Sequence, residues 1–159
     1  MSFPDSQPEA SAHSSAHSFV TDGVRAAGAL EEACRRSLEE TQSLHLEVVR
    51  DLAADLRRQL DALSGMVEER AEPRVDAALA CADLATLAAC NVIQMPPAEA
   101  RTVANAVHIA AGAAHSLSGT AENISKDEAE YLARDARGAR WKADLASRQA
   151  DEFLSSRRS

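Results

Sequence analysis

A chain of 159 residues with a net charge of −8, from 25 acidic against 17 basic side chains, has room for one core. It carries the wrong sign for nucleic acid or an anionic membrane surface. No apolar run reaches membrane-spanning length, the N-terminus lacks the basic-then-apolar order of a signal peptide, and the odd cysteine set Cys34, Cys81 and Cys90 suits reduced thiols in a cytoplasmic setting.

Residues 1–20, "MSFPDSQPEASAHSSAHSFV", are rich in Ser, Ala, Pro and His and follow no period. Such a segment cannot bury enough surface to offset its ordering, so a disordered tail is expected. On that composition His13 and His17 read as tail residues, not as a metal grip.

From Thr21 or Asp22, either of which can cap a helix start, no proline follows until Pro73. The inward positions across that span read Ala27, Leu30, Cys34, Leu38, Thr41, His45, Val49, Leu52, Leu56, Leu60, Leu63, Val67 and Ala71. Their steps of 3, 4 and 4 form an eleven-residue repeat, close to the winding of a straight helix. The spacing predicts one continuous helix over 22–70, roughly 70 Å long, with Thr41-Gln42-Ser43 as its weakest point.

Pro73 opens a second predicted helix over 74–95, apolar on nearly every side and therefore expected in the middle of the fold. Pro96-Pro97 separates it from a third over 98–121. Ser125 with Glu128 reads as a capping box for a fourth over 126–154. Strand and hairpin signals are absent. The expected fold is an all-α, antiparallel four-helix bundle over 21–155, with an unusually long first helix and the disordered N-terminal tail.

Small residues dominate the packing seams. Ala100, Ala104, Val107, Ala111 and Ala114 form one, and Ala129, Leu132, Ala136, Ala139, Ala143, Ala146, Ala150 and Phe153 another, at coiled-coil-like steps. His108 and His115, two turns apart beside Ala104 and Ala111, belong to the rim of the first seam.

That spacing is similar to the small cysteine-rich four-helix bundles that store copper, which place thiols as CxxxCxxCxxxC on one helix and CxxCxxxCxxCxxxC on the next. Here Ala104, His108, Ala111 and His115 occupy the first pattern, and Ala129, Leu132, Ala136, Ala139 and Ala143 the second. "ACADLATLAAC" resembles that family's Cys-Ala-Asp-x-Cys run, with Cys81 kept and Ala85 in place of the next cysteine. The likeness spans Ala77 to Asp144. It implies a copper-binding ancestry, but three cysteines cannot supply the soft thiolates that bulk Cu(I) storage needs. What it leaves is a sparse Cys/His site for Cu(I) or Zn drawn from Cys34, His45, Cys81, Cys90, His108 and His115. No CxxC or HxxxH pair within the predicted helices supports such a site. The favoured reading is therefore no cofactor, with the cysteines as small core residues and the histidines bonded to carboxylates or carbonyls of neighbouring helices.

Enzyme signatures are missing: no Glu-x-x-His pair, Gly-rich phosphate loop, His-Glu-x-x-His or nucleophile elbow. Arg101 and His108 loosely resemble the Arg-x6-His ribonuclease motif of toxin-type bundles, on a chain too acidic to favour RNA. Arg134, Arg137, Arg140 and Lys142 are surrounded by Glu128, Glu130, Asp135 and Asp144 and read as a solvated helix face. A non-enzymatic interaction or scaffold protein is the expectation. Tyr131, Trp141 and Leu145 fall on a half-exposed flank where aromatics anchor partners. Leu52, Leu56 and Leu60 would line an overhang of the long helix, which calls for a homodimer or another protein partner. A surface coat built from the long helix is a further alternative.

Overall fold

The computed structural model describes residues 6–124 and 130–158, with side chains over 16–121 and 130–156. The described residues form five α-helices and no strand: α1 (Ser6–Glu40), α2 (Leu44–Leu63), α3 (Ala71–Asn91), α4 (Pro97–Ile124) and α5 (Glu130–Arg158). A 3-10 turn, Val92–Gln94, joins α3 to α4. All-helical architecture was legible in the sequence; the helix count was not.

The continuous helix expected over 22–70 is corrected to a helical hairpin. Thr41, Gln42 and Ser43 leave the helical path, and the chain folds back there. Near the break, Ser37 and Thr41 donate their hydroxyls to the carbonyls of Ala33 and Ser37, at 2.8 and 3.1 Å. Hydroxyl bonds of this kind loosen the backbone ladder. Ser43 then caps α2: its backbone is extended and its Oγ accepts from the Leu46 amide at 3.3 Å. The two arms run antiparallel, because His17 meets Ser64, Gly23 approaches Leu60, and the Glu31 carboxylate takes the Arg57 guanidinium at 3.0 Å. The overhang on which the dimer expectation rested is therefore absent among the described residues.

The fold-back interrupts the apolar stripe without erasing it: Val49, Leu60, Val67 and Ala71 are buried as their spacing predicts, and Leu56 and Leu63 pack against the core. Ala27, Leu30 and Cys34 on α1 are buried as their spacing predicts. On α2 the buried set is Leu46, Val49, Ala53 and Leu60, whereas Thr41, His45 and Leu52, expected inward, are exposed. A second correction lies at the N-terminus. Residues 1–5 of the expected tail lie outside the described residues, but α1 begins at Ser6, and Ala16 and Val20 are core residues rather than tail.

α3 is buried on almost every side, through Ala77, Ala78, Cys81, Leu84, Ala85 and Ala88 among others. By length and composition Ala71–Gln94 could cross a membrane; a core helix meets the same criterion, and 61% of its most apolar window is buried inside this fold. Arg74 bonds the carbonyls of Val67 and Glu68 and closes the turn that enters it. α3 packs on α2, α4 and α5, and α4 packs on α1, α3 and α5. Ala100, Ala104, Val107, Ala111 and Ala114 of α4 are all buried as expected, as are Leu132, Ala136, Ala139, Ala143, Ala146 and Ala150 of α5, with Phe153 half-buried and Ala129 outside the described residues. The expected capping box at Ser125 and Glu128 lies outside the described residues.

Candidate functional site

The six candidate metal ligands are dispersed. Cys34 and Cys81 are buried in the core, and burial pushes their thiols up to about 11 and about 12, so both are neutral at physiological pH. A neutral buried thiol is a small hydrophobe rather than a ready ligand. Cys90 is exposed and lines a shallow groove with Ile93 and Phe153. Among the described residues, no three His, Cys, Asp or Glu side chains form a group that could hold a metal ion.

Each histidine instead has its own setting. Asn91 donates its side-chain amide to the Leu87 carbonyl at 2.7 Å, which leaves Oδ1 as the acceptor for His45 Nε2–H at 2.5 Å. That bond ties the start of α2 to the end of α3. His108 is half-buried with Nε2 3.0 Å from Asp151, and so links α4 to α5. His115 is exposed, which corrects its assignment to the seam rim.

The interface candidates divide in the same way. Leu60 is fully buried and belongs to the core, and Leu56 is half-buried against it. Leu52 stays 46% exposed. It continues a stripe that the sequence reading missed: Leu44 and Val48, at 80% and 55% exposure, precede it at helical spacing on the outer side of α2. Glu40, Glu47 and Asp51 are exposed around this stripe. The available signal was Ser43, since a cap there makes Leu44 a first-turn residue.

On α5, Tyr131, Trp141 and Leu145 are all exposed, Trp141 to 64%. Trp141 lies nine residues from both Leu132 and Ala150, two and a half turns, and so points directly away from the buried seam. Arg134, Arg137 and Arg148 share this outer face, exposed and without an ion pair to any described residue. Lys142, to one side, pairs with Asp83 of α3 at 3.0 Å. The chain therefore carries two separate apolar stripes that its own core does not cover, one with acidic and one with basic flanks.

Compared with known proteins, the chain matches no family model, no curated protein and no solved structure. The resemblance to copper-storage bundles thus stands on residue spacing alone.

Proposed function

We propose that this protein is a non-enzymatic helical scaffold that works in the cytoplasm by docking a protein partner on helix faces left free by its core. In this reading the helices close as an antiparallel bundle whose interior is structural, with Cys34 and Cys81 as packing residues. The observation that carries the reading is Trp141, 64% exposed on the side of α5 opposite its buried alanines. An exposed tryptophan among leucine and arginine side chains has the composition of a binding hot spot, and a solvent-only helix face has no use for one. The stripe Leu44, Val48 and Leu52 on α2 supports the same conclusion independently. Large apolar side chains grouped on a small domain mark a contact surface.

A photoreactive phenylalanine analogue at position 141, introduced into the full chain in its native cells, tests this. The expected result is a covalent adduct of discrete mass with a protein. Recovery of the chain without adducts after irradiation would remove the reading.

A further inference from the structure

The two free faces differ in charge. Leu44 and Val48 of α2 are accompanied by the exposed carboxylates of Glu47 and Asp51, with Glu40 at the end of α1 across the turn. Glu40 and Glu47 make no ion pair with any described residue, while Asp51 is paired with Arg50 at 3.5 Å. On α5, the outer side of the segment from Arg134 to Arg148 sets Arg134, Arg137 and Arg148 against Asp144, while Lys142 is paired with Asp83, in a chain of net charge −8. Trp141 and Leu145 lie within that segment, one turn apart on its outer side. Each face thus has an apolar centre, and the charges around the two centres are opposite in sign.

Within one molecule these faces cannot meet. Each points away from the buried stripe of its own helix, and both buried stripes join the same core cluster, so the outer faces diverge. A like-with-like pairing of either face would bring Glu40 and Glu47 against their own copies, or Arg134 and Arg137 against theirs, at an electrostatic cost.

Resting on the docking role proposed above, we infer that the occupant is a second copy of this chain, bound head to tail with the Leu44–Val48–Leu52 face of one copy on the Trp141–Leu145 face of the next. The pairing places Leu44 and Val48 against the indole and Leu145, and the α2 carboxylates against Arg134 and Arg137. Such a contact is heterologous: every copy keeps one face of each kind free, so association continues into a ring or a filament rather than stopping at a two-fold dimer. It also depends on ionic strength, because its charges are rim charges.

Two double variants made in the full chain separate the possibilities. Leu44→Glu with Val48→Glu damages only the α2 face, and Arg137→Glu with Trp141→Ala only the α5 face. All four side chains are solvent-exposed, so each variant should fold, which circular dichroism with thermal melting checks. By sedimentation velocity, the wild type should form dimers and larger species that weaken about tenfold as salt rises from low to molar. Each variant alone should be monomeric. Their equimolar mixture should recover a dimer and stop there, since the faces left free are the damaged ones. A variant that dimerises alone would mean that like faces pair, and would overturn the inference. A monomeric wild type would overturn it too. In that case an adduct at position 141 with a different protein would leave the docking role standing, and the lack of any adduct would remove both.

Discussion

Gly23 of α1 lies so close to Cys81 of α3 that a Cβ placed on the glycine would stand 2.6 Å from the cysteine Sγ and 3.1 Å from a Leu60 methyl. Three helices converge there, and the missing side chain sets how near α1 can come. Gly23→Ala gains up to about 1 kcal/mol of helix propensity but overpacks a buried site, which costs about 1–3 kcal/mol. The thiol turns about a single bond inside a fully buried site and has little room to move aside, so the loss wins. Urea unfolding should show net destabilisation for Gly23→Ala in the native background, and neutrality or a gain once Cys81→Ala removes the sulfur. Gly28→Ala, with nothing within 4 Å of its Cβ, should stabilise. Additive effects of the Gly23 and Cys81 changes would mean that the helices do not touch at this point.

The two buried thiols give stability a high-pH limit. Burial raises Cys34 to about 11 and Cys81 to about 12 from an ordinary value of 9.0. Below the unfolded value both states keep the protons and the thiols contribute no slope. Above it the unfolded chain loses protons that the folded chain retains, so stability falls as pH rises from about 9 toward 11, by at most about 1.4 kcal/mol per pH unit for each thiol. Unfolding curves for the wild type and for Cys34→Ala with Cys81→Ala should diverge only in that window. Parallel curves would place both thiols in water. Alkylation of the native protein should label Cys90 alone.

The hairpin break has a test whose sign depends on the fold. Ser43 caps α2, so Ser43→Ala should cost about 1 kcal/mol and Ser43→Asp should retain most of the stability. In a helix continuous through this position, alanine would instead stabilise by up to about 0.5 kcal/mol. Chemical denaturation of the two variants decides between these outcomes.

His108 and His115 should behave differently despite their shared spacing. His108→Gln removes a side-chain contact with a well-exposed aspartate and should cost under about 1 kcal/mol, whereas His115→Gln should leave stability unchanged. Added Zn(II) should not move the melting temperature of either variant or of the wild type. A stoichiometric upward shift abolished by both substitutions would instead make the two histidines metal ligands.

How far the sequence could be read follows from what periodicity reports. On α4 and α5 an alanine seam at steps of 3 and 4 leaves one face able to pack, and those positions are the buried ones. On α2 two apolar stripes compete: Leu46, Val49, Ala53, Leu56 and Leu60 toward the core against Leu44, Val48 and Leu52. The eleven-residue repeat, carried unbroken from α1 across Thr41 and Ser43, found Val49, Leu56 and Leu60 but also put Thr41, His45 and Leu52 inward. Periodicity does not show where the chain reverses, and only the capping chemistry of Ser43 marks it. The same step concealed Leu44 and Val48, which gain significance once the hairpin turns them outward. Trp141 was legible because α5 has a single seam and the tryptophan lies opposite it. The partner of His45 was not, since Asn91 reaches it only through tertiary packing of α2 on α3.

Trp141 is the only tryptophan, so its fluorescence reports directly on the face proposed to dock a second copy. Emission and acrylamide quenching of the wild type, followed from nanomolar to high-micromolar protein, test the central claim. Docking onto Leu44 and Val48 predicts a solvent-like, freely quenched indole in dilute solution that shifts to the blue and becomes protected as concentration rises, reversibly with added salt. Leu44→Glu with Val48→Glu, although remote from the indole in its own chain, should abolish the shift. An emission spectrum and quenching constant independent of concentration would contradict the account.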